Sequence, residues 1–219
     1  KKASVKGLQN TLTPQERHSI PFLLRRARVI SGAMTPDGKE VVASLMRKDH
    51  KGKTERWMEW RRTTDGALLH VHRPPARIGQ MQWSPDGRTH SYVTYSRTGV
   101  TLWLVDRKTK RVRALRRNIK HFQYYVWAPN SKYLLLGRYR KQKPSKTERI
   151  GARRLRNMND RWPWYRTRVF YSSLSVKTGS MMRLTAGRWN LSGPKLRPDG
   201  KAILFLRSIP DYTKRPFTR

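Results

Sequence analysis

The chain has 219 residues, and 36% of them are hydrophobic, which is enough for a sizeable core in one or two domains. It contains no cysteine, so disulfides and thiolate-bound metals are excluded, and no apolar run approaches the roughly 18 residues of a membrane-spanning helix. Fifty lysines and arginines against thirteen acidic residues give a formal net charge of +37, which favours a polyanionic partner such as nucleic acid.

Residues 1–28 form a basic segment with little pattern. Thr13 and Pro14 have the chemistry of an N-cap and a first helical position, so a short helix is one interpretation and coil the other. The chain begins at Lys1 without a methionine or an apolar targeting stretch, which predicts a processed or trimmed N-terminus. The composition leaves the compartment open, cytoplasmic or periplasmic.

From residue 29 onward the chain repeats one turn motif four times: a small or polar residue, proline, Asp or Asn, Gly or Ser, and a base. Proline fixes φ at the second turn position, Asp or Asn accepts a backbone hydrogen bond, and Gly tolerates positive φ. The motif residues are Pro36, Asp37, Gly38, Pro85, Asp86, Gly87, Pro129, Asn130, Pro198, Asp199 and Gly200.

Each turn precedes a short run of β-branched, aromatic or aliphatic residues, at 41–43, 91–95, 133–136 and 202–206, which predicts a strand. The turns recur every ~45 to 50 residues, except for a last interval of ~70, and this period is typical of β-propeller blades. We therefore predict an all-β, partial propeller over residues 29–219, with three full four-stranded blades and part of a fourth. The predicted blades are 29–75, 76–118, 119–186 and 187–219, with an inserted loop at about 138–166.

The bases are densest between residues 107 and 156, and aromatic residues join them in the predicted loop. These residues could bind an anionic or flat ligand, although a solvated charged surface is the plainer interpretation. The candidate binding residues are Arg138, Arg140, Lys141, Arg153, Arg154, Trp162, Trp164 and Tyr165. Trp57, Trp60, Trp83, Trp103, Trp127 and Trp189 recur at similar blade positions, where packing between blades is favoured over base stacking.

Two histidines, His70 and His72, point to the same face of a predicted strand. They could form half of a metal site, or they could lie on a solvated face of the strand. No other metal-ligand spacing, cofactor motif or nucleic-acid-binding motif is present in the sequence. We therefore predict neither a metal nor a cofactor.

Several stretches together resemble a known family: Trp-Ser-Pro-Asp-Gly-Arg at 83–88, Leu-Trp-Leu-Val-Asp at 102–106, Lys-Thr-Gly at 177–179 and Arg-Leu-Thr at 183–185. They are similar to the N-terminal propeller of prolyl oligopeptidase-type serine peptidases, such as acylaminoacyl and dipeptidyl peptidases, and to TolB-like propellers. Arg153-Arg154-Leu155 and residues 209–219 resemble the peptidases more than TolB.

The resemblance implies a propeller that caps a C-terminal α/β-hydrolase domain and admits small peptides. This chain has no Gly-x-Ser-x-Gly segment, so we expect no catalytic residue here and no hydrolysis by this chain alone. The expected partners are that hydrolase domain, the remaining blades of a longer protein and peptide substrates. The alternatives are a TolB-like protein-binding scaffold and a basic propeller that binds nucleic acid or another polyanion non-specifically.

Overall fold

The computed structural model describes residues 27–49, 51–74, 76–141, 167–186 and 190–208, and their regular structure consists of strands. The strands are β1 (Arg28–Met34), β2 (Glu40–Lys48), β3 (Thr54–Arg62), β4 (Leu68–His72), β5 (Arg77–Trp83), β6 (Thr89–Ser96), β7 (Gly99–Asp106), β8 (Val112–Ile119), β9 (Phe122–Trp127), β10 (Tyr133–Lys141), β11 (Thr167–Ser175), β12 (Met181–Arg183), β13 (Asn190–Leu196) and β14 (Ile203–Ser208). Nowhere in these ranges is there a helix long and apolar enough to cross a membrane.

The strands form four antiparallel sheets in which neighbours in sequence are neighbours in space. Three sheets have four strands each, β1–β4, β5–β8 and β9–β12, and the fourth contains β13 and β14. This arrangement confirms the predicted all-β, partial propeller.

The repeated motif forms the turn between the first and second strands of every sheet. In all four copies the amide of the Gly or Ser donates to the carbonyl three residues earlier, as in Gly38 to Thr35 at 2.9 Å and Gly87 to Ser84 at 2.8 Å. The residue that donates has positive φ in each copy, including Ser131 at 55°. The motif thus encodes a left-handed position that glycine occupies at three of the four turns.

Strand β10 is longer than the sequence predicted. Residues 138–141 were expected to begin the inserted loop, but they continue β10 and pair with β11, with Arg138 opposite Phe170 and Lys141 opposite Thr167. The prediction was wrong here because Arg and Tyr alternate along this segment, and long basic side chains can project from a strand while its backbone stays paired. Residues 142–166 of the predicted loop, the Thr13 helix and residues 209–219 lie outside the described residues.

The contacts divide the chain into two compact units. The smaller contains residues 1–33 and 39–75, and the larger contains residues 34–38 and 76–219. In the smaller unit Val42, Met58 and Trp60 are fully buried, and the Trp60 ring lies 5.2 Å from the ring of His70. The larger unit has a core between its two four-stranded sheets and a second core where β13 and β14 pack on the sheet β9–β12.

The smaller unit should lose stability in mildly acidic solution. Burial lowers the pKa of the His72 imidazole below its ordinary 6.5, and repulsion from His70 lowers it further. At a pH between the lowered pKa of His72 in the folded chain and its ordinary 6.5 in the unfolded chain, the unfolded chain binds more protons than the folded chain. The free energy of unfolding therefore falls as pH decreases below 6.5. Protection factors from hydrogen exchange of the β3 and β4 amides, compared between pH 7.5 and 5.5, would measure this loss of stability. His72→Gln should reduce the difference in protection between the two pH values. Equal pH dependence in both proteins would contradict it.

Candidate functional site

The structure describes three of the eight candidate binding residues. Arg138 and Arg140 lie on β10, and Lys141 is its last residue. Arg153, Arg154, Trp162, Trp164 and Tyr165 lie outside the described residues. Arg138 is half-buried and contacts several neighbours, whereas Arg140 is exposed and pairs across the strands with Arg168. A site can therefore be built from Arg138 outward.

Strand alternation brings two arginines and a phenylalanine onto one face of the sheet β9–β12. Arg138 lies directly opposite Phe170, and Arg183 on β12 lies opposite Ser172, two residues further along β11. The guanidinium carbons of Arg138 and Arg183 are 5.3 Å and 4.6 Å from the centre of the Phe170 ring. Both distances are within the range of cation–π contacts, so one ring holds two cations.

A third arginine reaches this place from the neighbouring sheet. Arg116 lies on β8, and its Nη1 donates to the carbonyl of Gly179 at 3.4 Å, two residues before β12 begins. Arg138 is held by two contacts, from Nε to the carbonyl of Lys120 at 3.2 Å and from Nη1 to Sδ of Met181 at 3.7 Å. We name Arg116, Arg138 and Arg183 the arginine cluster.

No carboxylate among the described residues pairs with the arginine cluster. Other arginines in those ranges do have acidic partners, such as Arg61 with Glu59 at 2.7 Å and Arg107 with Asp37 at 2.9 Å. Partial burial lowers the pKa of the Arg138 guanidinium, and repulsion from Arg116 and Arg183 lowers it further. The cluster is therefore a local excess of positive charge that its described neighbours leave uncompensated.

A buried hydroxyl lies beside the cluster. Ser172 is on the same face of β11 as Phe170, directly opposite Arg183, and it is only 1% exposed. Its Oγ has no hydrogen-bond partner within the described part of the chain. Buried hydroxyl groups normally have a partner, so this one is a donor with an unmet hydrogen bond at the strand position opposite Arg183.

Sequence reasoning singled out Arg138 but not Arg116, Arg183, Phe170 or Ser172. The missing residues come from two sheets, and the sequence shows no spacing that links β8 to β12. One signal was available, because bases at alternate positions of an apolar strand share one face and must find partners on adjacent strands.

The tryptophans and histidines that the sequence singled out make packing contacts. Trp60, Trp83 and Trp127 are buried, and guanidinium groups cover Trp57 and Trp103; Trp189 lies outside the described residues. His70 contacts the Trp60 ring. Within the described ranges, no three His, Asp or Glu side chains are grouped closely enough to hold a metal ion.

A second surface lies at the fourth sheet. A groove of about 440 Å³ separates β10 from the β13–β14 hairpin and is lined mainly by apolar side chains, including Leu134, Leu135, Ile203 and Phe205. No described strand pairs with the outer edge of β14. The side chains of Leu204 and Leu206 on the other face of β14 are 76% and 71% exposed. This sheet has an apolar face and a strand edge of the kind that a further strand or blade covers.

No family model matches the sequence, and no curated protein matches it. The structure is similar to acylaminoacyl peptidase of Pyrococcus horikoshii, with a TM-score of 0.55 and 13% identity over 73% of this chain and 25% of that chain. It is also similar to the propeller of the trilobed protease of Pyrococcus furiosus, described as having an open velcro topology (TM-score 0.50, 13% identity, 76% and 45% covered). A protein assigned as TolB from Agrobacterium tumefaciens matches with a TM-score of 0.50 and 16% identity over 82% and 54%.

At these identities the likeness concerns the fold. The chain has the fold shared by the propellers of these peptidases and of TolB. It spans about a quarter of the length of the acylaminoacyl peptidase.

Proposed function

We propose that this chain is the propeller portion of a serine peptidase of the prolyl oligopeptidase type and controls which substrates reach a separate hydrolase domain. The observation that supports this proposal most is the structural likeness to acylaminoacyl peptidase. The match covers only 25% of that peptidase chain. The open edge of β14 and the exposed Leu204 and Leu206 are consistent with further blades packing there.

In this role the propeller contributes no reacting group. The nucleophile, the general base and the oxyanion hole belong to the hydrolase domain, and the propeller restricts access by its size and rigidity. The inter-sheet core and the hydrogen bonds between the second and third sheets supply that rigidity. Substrates small enough to pass would be short peptides, and folded proteins would be excluded.

The test is active-site labelling with a fluorophosphonate probe, which reacts with activated serine nucleophiles. The full-length protein from the parent reading frame should be labelled and should cleave short fluorogenic peptides but not a folded protein. The 219-residue chain should be neither labelled nor active. A full-length protein without a hydrolase domain, or without labelling, would overturn the proposal.

A second candidate function is a TolB-like scaffold that binds a protein partner. Its support is the structural likeness to the Agrobacterium tumefaciens protein, of which this chain spans 54%. A full-length protein composed of propeller blades alone, without fluorophosphonate labelling, would favour this function over the peptidase.

A further inference from the structure

The arginine cluster groups three guanidinium groups of which the central one is the most enclosed. Arg116 and Arg183 are exposed, whereas Arg138 is half-buried and fixed by a backbone carbonyl, a thioether and an aromatic ring. Arg183 is also fixed, since its Nε donates to the carbonyl of Thr185 at 2.6 Å. Side chains held in this way lose little further freedom when a ligand binds, so the cluster is pre-organised.

We propose that the arginine cluster and the hydroxyl of Ser172 form a binding site for a small phosphate-bearing anion. The three guanidinium groups supply the charge and most of the hydrogen-bond donors. The Ser172 hydroxyl, which lacks an acceptor among the described residues, supplies one more donor on the same face of the sheet. The site lies at the junction of the second and third sheets and does not depend on the proposed peptidase role.

Phosphate fits this site better than a single carboxylate does. A phosphate group carries a charge of about −1.5 to −2 at neutral pH and three acceptor oxygens, so it can accept from several guanidinium groups at once. A carboxylate has one charge and two oxygens, which would leave more of the repulsion within the cluster uncompensated.

The test is isothermal titration of the 219-residue chain with inorganic phosphate and pyrophosphate in buffer of physiological ionic strength. One site per chain is expected, with acetate not competing. Arg138→Gln and Arg183→Gln should each weaken binding by about tenfold or more, because each removes charge-assisted hydrogen bonds. Ser172→Ala should weaken it by a smaller factor. Absence of saturable binding by the wild-type chain would overturn the proposal.

A matched control separates this site from general attraction to a basic protein. Arg117→Gln and Arg140→Gln remove the same charge from β8 and β10 but lie outside the cluster. They should leave phosphate affinity unchanged. Weakening of binding by these variants to the same extent as by the cluster variants would show that net charge alone is responsible, and the proposed site would be rejected.

Thermal denaturation tests whether the cluster residues act only through stability. Phosphate should raise the Tm of the wild-type chain by mass action and should not raise that of Arg138→Gln, even if the variant's Tm without phosphate equals or exceeds the wild type's. An oligonucleotide without terminal phosphates is the second ligand. If it showed cluster-dependent binding and inorganic phosphate did not, the small-anion assignment would be wrong and the site would be one for nucleic acid.

Discussion

Gly179→Ala is expected to destabilise the larger unit by about 2 to 4 kcal/mol. Gly179 has a φ of +68°, and a Cβ at this position would lie 2.5 Å from the carbonyl oxygen of Leu115 on β8. The oxygen belongs to the backbone of β8, so relieving the overlap requires a backbone shift in β8 or in the turn that contains Gly179. Urea denaturation followed by tryptophan fluorescence would measure the loss.

A matched control exists in the same unit. Gly38 has nearly the same φ, +69°, but no atom lies within 4 Å of the position that its Cβ would take. Gly38→Ala should therefore cost only the left-handed backbone penalty, about 1 to 2 kcal/mol. A similar loss in both variants would mean that Gly179 does not pack against Leu115 as the structure shows.

The structure explains how part of the +37 charge is accommodated. Several arginines lie over aromatic rings, as Arg117 does with Trp103, and Arg138 and Arg183 with Phe170. Others donate to backbone carbonyls, as Arg113 does to Val176 at 2.7 Å. With only thirteen acidic residues in the chain, rings and carbonyls take the place of carboxylates as partners for guanidinium groups.

The fold could be predicted because its signals are local. Each Pro-Asp-Gly turn fixes its own backbone, as the hydrogen bond from Gly87 to Ser84 shows, and the apolar run after it defines the second strand of each sheet. The end of β10 could not be predicted, because residues 138–141 are paired through their backbone with β11, and their basic side chains carry no strand signal.

The candidate site was less predictable than the fold. Arg138 was one of many bases in a basic region, and nothing local distinguished it from Arg140, two residues away on the same strand. What distinguishes Arg138 is its neighbours on β8, β11 and β12, which only the packing of two sheets brings together. The buried hydroxyl of Ser172 has no sequence signature, because serine is common in exposed and buried strands alike.

Ser91→Ala is expected to destabilise the larger unit by about 2 to 3 kcal/mol, although it removes one oxygen atom. Ser91 Oγ accepts from Nε1 of Trp127 at 2.8 Å, bonds the hydroxyl of Tyr125 at 2.9 Å and donates to the carbonyl of Gln82 at 3.0 Å. Ser91 is on β6 and Trp127 is on β9, so this buried oxygen joins the second sheet to the third. Alanine would leave the Trp127 donor buried without its acceptor.

Ser172→Ala is the matched control, since Ser172 is equally buried but its hydroxyl has no partner among the described residues. Its removal should be neutral or slightly stabilising in phosphate-free buffer, because an unpaired polar atom is replaced by an apolar surface. In a Trp127→Phe background, which lacks the indole donor, Ser91→Ala should cost less than in the wild type. If Ser91→Ala lowered the free energy of unfolding as much in the Trp127→Phe protein as in the wild type, the loss would not come from the hydrogen bond between Ser91 and Trp127. That bond would then not contribute to holding the two sheets together.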